Sequence, residues 1–271
     1  MQEAADEEAQ LKAQEELKAI LEKKMQAELA VIRANPEYML GVTPKELEKF
    51  SPDGDGVNDT ITFAPVTLYL TKPAKKWSLK IIDPAGNDFR NWSGEGNPPA
   101  KIIWDGMSND GEVVSSYNTY KALFKIIPSD EDKEYLGMDK MRDGVEGKVE
   151  IKTDVVLKKI ANNEWKIEMT SVPFDPNAAS FNQLTRAQIE KLRETVNEVY
   201  EKIVSIGENA SVSIYGYANN ISGTEQEDQE ELISLSQKRA EIMAYMLIQR
   251  GLSSDSVTAV GRGGADPIAS R

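Results

Sequence analysis

The sequence predicts a multidomain α+β chain: an N-terminal helix, an antiparallel β-sandwich, and then a β-α-β-α-β sandwich of helices on a sheet. Three observations carry this. Residues 1–34 are rich in Ala, Glu, Lys, Leu and Gln, all good helix formers. From Phe50 onward, short β-type runs are divided by Gly, Asp, Asn and Pro clusters. Beyond about Lys152, two long stretches of helical apolar periodicity alternate with strand-like segments.

In the first stretch, Leu17, Leu21, Met25, Leu29 and Ile32 recur every three or four residues, and Asn35-Pro36 ends the helix. The spacing drifts off a strict heptad, so the stripe is expected to pack on a neighbouring domain rather than in a long coiled coil. Next come "TITFAPVTLYL", "WSLKIID", "AKIIWDG" and "TYKALFKII", separated by "SPDGDGVND", "DPAGND", "SGEGNPP" and "SNDG". Regular short strands between such turns predict a sandwich, with Trp77, Trp92 and Trp104 as its core and rim. Asp53, Asp55, Asn58 and Asp59 offer oxygen ligands for calcium, but Val57 stands fifth and no glutamate stands twelfth, unlike an EF-hand. Asx-turns account for the same residues, and no metal is assigned.

Residues 128–150 are charged and form a long connection, and "GKVEIKTDVVLKKI" either closes the sandwich or opens the next domain. "EWKIEMTSVPF" is strand-like, with Trp165, Ile167 and Met169 on one face. Thr185 starts a helix with Gln188 at capping-box spacing; Ile189, Leu192, Val196, Val199 and Ile203 mark its buried face and Gly207 stops it. "SVSIYG" is a strand, a second helix runs from about Leu235 to Arg250 with Ile242, Met243, Met246 and Leu247 inward, and "SVTAVG" is the last strand. The expected domains are 1–49 (helical), 50–150 (sandwich) and 151–271 (α/β).

The composition excludes much chemistry. The 271 residues contain no cysteine and no histidine, which removes disulfides, thiolate nucleophiles, His-dependent triads and His or Cys zinc sites. A net charge of −13 argues against nucleic acid as a partner. No apolar run approaches a membrane span, so no transmembrane segment is expected. Met1 directly before "QEAADEEAQ" reads as an initiator placed where a leader was removed. With no Ser-x-x-Lys, Gly-x-Ser-x-Gly, Walker or Gly-x-Gly-x-x-Gly motif, neither catalytic residues nor a cofactor are assigned.

One place has the makings of a ligand site. "IYGYANNISG" ends a strand in polar residues, Tyr217 to Asn220, where α/β sheets commonly bind ligands. The following helix offers its N-terminus at Ser236, with Arg239 in the first turn, an arrangement suited to a carboxylate. The ammonium of an amino-acid ligand would need an acidic partner, and Asn219 occupies that place.

Two resemblances sharpen this. "FSPDGDGVNDT", "IIDPAGN", "WSGEG" and "IWDGMSNDGEVVSSYNTY" resemble the Ig-like domain of gliding-motility and flagellar-hook-cap proteins, except that Asn118 stands where that family has glycine. "FDPNAASFNQLTRAQIEKL", "IYGYANN", "LSQKRAEIMAYMLIQRGL" and "VTAVGRGGADPIA" resemble the peptidoglycan-binding domain of the OmpA family, over about Trp165 to Arg271. The combination resembles OmpA-like envelope proteins of spirochaetes. The resemblance implies a site at Tyr217, Asn219, Asn220, Leu235 and Arg239 that grips the diaminopimelate of the peptidoglycan stem peptide. Arg239 matches the family's arginine and Leu235 opens the Leu-Ser-x-x-Arg-Ala helix start, but Asn219 replaces the aspartate and Tyr217 the histidine. The segment "ISGTEQEDQEELIS" is longer than the family pattern, and its Glu225, Glu227, Asp228, Glu230 and Glu231 form a solvated acidic loop or supply the missing carboxylate. The sequence stops before the family's final strand, so either it is truncated there or the sheet lacks that edge strand.

The implied function is that of a non-catalytic periplasmic, outer-membrane-associated protein that binds peptidoglycan weakly or in altered form. The alternative is a scaffold for periplasmic or outer-membrane proteins in which wall binding has been lost.

Overall fold

In the computed structural model, which describes residues 2–35, 39–42, 44–135, 144–161, 163–169, 184–207, 210–218 and 232–264, helix α1 (Gln2–Ala34) ends at Asn35. The backbone N–H and side-chain amide of Asn35 both donate to the Val31 carbonyl, at 2.9 and 3.3 Å. Only the end of the apolar stripe is covered. Leu29 and Ile32 are buried, whereas Leu17 and Leu21 are 58% and 50% exposed, so the expected packing of the whole stripe is corrected to its last turns. A four-residue spacing overshoots the helical turn, so Leu17 and Leu29 point about 120° apart and one neighbour cannot cover both.

Contacts divide the chain into two units. The first comprises Met1–Phe50, Asn58–Val113 and Thr119–Lys152. It holds β1 (Leu40–Gly41), α2 (Pro44–Glu48), β2 (Ile61–Pro65), β3 (Lys76–Ile82), β4 (Asp88–Gly94), β5 (Ile102–Trp104), β6 (Thr119–Ile127), α3 (Asp130–Tyr135) and β7 (Val145–Lys152). These strands make two antiparallel sheets, ordered β1-β2-β5 and β4-β3-β6-β7. Strict alternation buries Trp77, Leu79 and Ile81 on β3 and Tyr120, Ala122, Phe124 and Ile126 on β6. Trp104 of β5 touches Tyr120 of β6, ring centres 6.1 Å apart, so aromatic packing joins the two sheets. The expectation for the tryptophans holds: Trp77 and Trp104 are core, and Trp92 is half-buried beneath the Arg90 guanidinium. The open question about "GKVEIK" is answered, since β7 pairs with β6 from Thr119↔Lys152 to Ile126↔Val145 and completes this sheet.

The second unit comprises Ser51–Val57, Val114–Asn118 and Thr153–Arg271. Its elements are the hairpin β8 (Lys158–Ala161) and β9 (Glu164–Lys166), α4 (Arg186–Ile206), β10 (Val212–Gly216), α5 (Ile233–Arg250) and β11 (Val257–Gly261). The capping box at α4 forms as the sequence predicts: Gln188 N–H donates to Thr185 Oγ1, and Thr185 N–H to Gln188 Oε1. The core gathers Leu192, Val196, Val199 and Ile203 of α4 with Ile242, Met243 and Leu247 of α5, and Ile167 and Met169 pack against it. β10 and β11 pair in parallel, Val212↔Val257 through Gly216↔Gly261, with α5 as the crossover between them. The α/β character expected of the C-terminal third is thus present. The left-handed residue near the Asn118 departure is Tyr117, one position earlier, at φ +56°; its hydroxyl donates to Glu198 of α4.

Candidate functional site

The site is built where the start of α5 crosses the ends of two parallel strands. Both strands end in glycine, and the helix backbone lies directly against them. A Cβ on Gly216 would stand 2.2 Å from the Ser236 carbonyl oxygen, and one on Gly261 would stand 2.5 Å from the Gln237 nitrogen. Glycine at these two places is therefore a requirement of close approach. The seam is closed by side chains. Buried Ser236 accepts a hydrogen bond from the Gly263 N–H at 3.0 Å and donates to the Ile233 carbonyl. Gln237 uses its amide as a strand would, accepting from the Gly261 N–H at 2.6 Å and donating to the Ala259 carbonyl at 3.2 Å. Beyond the strands the pairing continues, with Arg262 N–H donating to Gly216 O and Ala218 N–H to Gly263 O, both at 2.8 Å.

Tyr217 and Arg239 are next in sequence to residues in this seam, since the Gly216 Cβ position meets Ala240 at 3.3 Å. Tyr217, Leu235 and Arg239 are all half-buried. Burial pushes the Arg239 guanidinium below its ordinary pKa, as expected of a cation partly withdrawn from water. Asn219 and Asn220 lie outside the described residues, as do Glu225, Glu227, Asp228, Glu230 and Glu231. One expectation is corrected. α5 begins at Ile233, so Ser236 closes its first turn and Arg239 sits in the second. The unbonded N–H groups of the helix start precede Ser236, and the helix extends backwards because Ile233 and Ser234 lack a glycine or proline to stop it.

A charged cluster that the sequence reasoning missed lies on and just beyond the β8–β9 hairpin. Glu168 receives Lys158 at 2.7 Å and Lys166 at 2.5 Å. Burial alone would raise the Glu168 pKa, but the hydrogen bonds from the two lysines outweigh it and hold the carboxyl below its ordinary value. The hydrogen bond to Glu168 raises the pKa of Lys166, and Tyr217 lies within electrostatic reach of that ammonium. The only signal in the sequence was the alternation of Lys166 and Glu168 in a segment read as plain strand, while Lys158 lies in the stretch before it.

The aspartate loop has a different cation from the one weighed in the sequence. Lys202 of α4 reaches Asp53 at 2.5 Å and Asp55 at 2.8 Å, and the Asp53 side chain is only 2% exposed. The hydrogen bond from Lys202 is the main cause holding the Asp55 carboxyl below its ordinary pKa. The Val57 N–H donates to Asp55 Oδ1 at 2.8 Å, the Asx-turn geometry expected there. These contacts engage both aspartates, and Asp59 brings a third carboxylate oxygen within 4.8 Å of theirs.

Chemically, a half-buried guanidinium beside a strand end can hold a carboxylate in forked hydrogen bonds. Residues 174–271 match the OmpA family. Domains of this family generally bind peptidoglycan and are typically binding modules rather than catalysts, which points to the cell envelope. No curated protein matches the sequence. Among solved structures, the chain is similar to the crystal structure of Parabacteroides merdae β-glucuronidase, at 9% identity and a TM-score of 0.27. That similarity covers 81% of this chain but only 28% of the glucuronidase, and it carries no argument about function. No helix among the described residues is long and apolar enough to cross a membrane.

Proposed function

We propose that this chain is a non-catalytic protein of the periplasmic face of the envelope. Its OmpA-family domain associates with the peptidoglycan stem peptide, in altered form, through Arg239 and the Tyr217–Asn220 loop. The supporting observation is the half-buried guanidinium of Arg239 on the helix that crosses the β10 end, in a region matching a wall-binding family. We take the domains as 1–49, 50–150 and 151–271, with the middle one an Ig-like spacer or protein-docking module and the whole akin to spirochaete envelope proteins. Isothermal titration with purified muropeptides tests the reading. Saturable binding that Arg239→Ala removes is expected, and the absence of heat at millimolar ligand would reject it.

A second reading has an observation of its own. Asn219 stands where the family's aspartate would pair with an ammonium, and losing one partner of a desolvated pair costs about 2–5 kcal/mol. On that reading the domain is a protein-binding scaffold. Wild-type protein would then be silent toward muropeptides, and Asn219→Asp would gain binding.

A further inference from the structure

We propose that α1 is a self-association helix. Its exposed seam, centred on Leu17 and Ile20, pairs with the same seam of a second copy of this chain, running antiparallel, with Glu16 across from the partner's Lys23. This interaction is additional to wall binding and does not depend on it.

The stripe that α1 buries at Leu29 and Ile32 is not its only one. Ala13, Leu17, Ile20, Lys24, Ala27 and Val31 recur in alternating steps of four and three, the period of a coiled-coil seam. All six are exposed, Ile20 at 63%, and Ile20 points about 180° away from fully buried Leu29. The fold thus covers one side of the helix and leaves a heptad seam exposed on another.

Charge decides what covers that seam. As far as Glu16, the sequence of α1 has six acidic residues and one lysine; from Leu17 to Ala34 it has four basic residues and two acidic ones. A parallel pair would align acid with acid and bring the two Lys24 ammonium groups face to face. An antiparallel pair lays each acidic half on the partner's basic half, so the helix is complementary to itself in that direction alone. In the register that overlaps both helices from end to end, Leu17 sits over the partner's Ile20, and Ile20 over the partner's Leu17. Lys24 then falls opposite the partner's Ala13, whose small side chain lets the ammonium reach water. Glu16 flanks this core across from the partner's Lys23, and the two-fold axis repeats the ion pair. The acidic half also disfavours the other common use of an apolar helix face, adsorption to an anionic bilayer surface. With a lysine in the seam and two large apolar side chains per copy at its centre, the pair is weak, with a dissociation constant of about 10–100 µM. At low micromolar concentration the chain is then a monomer.

Sedimentation equilibrium of the intact chain at low salt, from about 5 to 500 µM, tests this. A monomer–dimer equilibrium within that range is expected. Ile20→Glu sets a charge against the partner's Leu17 and should weaken the dimer about tenfold or more. The circular dichroism of the monomer should not change, because Ile20 is exposed in it. Glu16→Lys and Lys23→Glu should each weaken the dimer about three- to tenfold by setting like charges together. Both changes in one chain should restore it to within about twofold of wild type. In a parallel pair they would not, since Lys23→Glu would then face the partner's Glu28. A monomer throughout the range overturns the proposal, as does association that Ile20→Glu leaves intact. A double variant no better than the single ones overturns the antiparallel pairing. A chain that stays monomeric but binds phospholipid vesicles, and loses that binding in Ile20→Glu, assigns the face to lipid and overturns the proposal as well.

Discussion

Gly216 carries more of the site than its side-chain-free formula suggests. Its Cβ position is occupied by the Ser236 carbonyl oxygen at 2.2 Å and approached by Ala240 at 3.3 Å, so any side chain must push α5 off the strand end. Strand and helix are both main-chain structures here, and neither can yield as a flexible side chain would. Gly216→Ala is expected to cost about 1–3 kcal/mol, the usual range for overpacking. The loss would be read as a lower urea midpoint with an unchanged slope. An unchanged midpoint would show that the helix start can retract without cost. Read from the sequence, Gly216 was the glycine that ends a strand. The need for close approach lies in the helix that crosses it, which no local pattern displays. Gln237 was missed for the same reason: an amide that bonds Ala259 and Gly261 as a neighbouring strand would looks, in sequence, like an ordinary polar position.

At the scale of elements, legibility follows how local the cause is. The α4 cap was readable because Thr185 and Gln188 satisfy each other three residues apart, and Thr185→Ala is expected to cost about 1 kcal/mol in a denaturation midpoint. The start of α5 was read two residues late because its first residues carry no capping side chain. The fate of α1 was legible only in part. Helical propensity fixes that it is a helix, but which side chains are covered depends on what lies beside it, and that is tertiary information. Leu11, Leu17, Ile20 and Leu21 are at least half exposed, while Leu29 is fully buried. Removing residues 2–20 should therefore leave the thermal midpoint of the remaining chain unchanged within about 2 °C, since the side chains described there, those of residues 10–20, are all exposed. A fall of several degrees would show that the exposed turns of the helix contribute to the fold.

Across the whole molecule, 45 acidic residues against 32 basic ones set two opposing responses to acid. Protonating exposed carboxylates relieves the self-repulsion of a chain at −13, which favours the folded state on the way down from neutrality. Asp55 and Glu168 act in the other direction. Their folded pKa values are depressed below ordinary values of 3.8 and 4.5, Asp55 chiefly by the hydrogen bond from Lys202, Glu168 by its lysines against burial. In the unfolded chain these groups bind protons first, so their stabilisation is present above the ordinary values and is lost as pH falls through the depressed ones. Stability should therefore hold or rise slightly from neutrality into the mildly acid range, then fall steeply below about pH 4. Lys202 is the handle on this, because its ammonium receives both Asp53 and Asp55. Lys202→Met should destabilise the protein at neutral pH, where it removes the ammonium from both aspartates, and the penalty should shrink as pH falls through the depressed Asp55 value. Urea midpoints of wild type and variant, measured at pH 7, 5 and 3.5, would converge toward the acid end. Parallel curves that keep a constant gap would mean that the lysine contributes packing by its methylene stem, and that its charge does not set the acid limit.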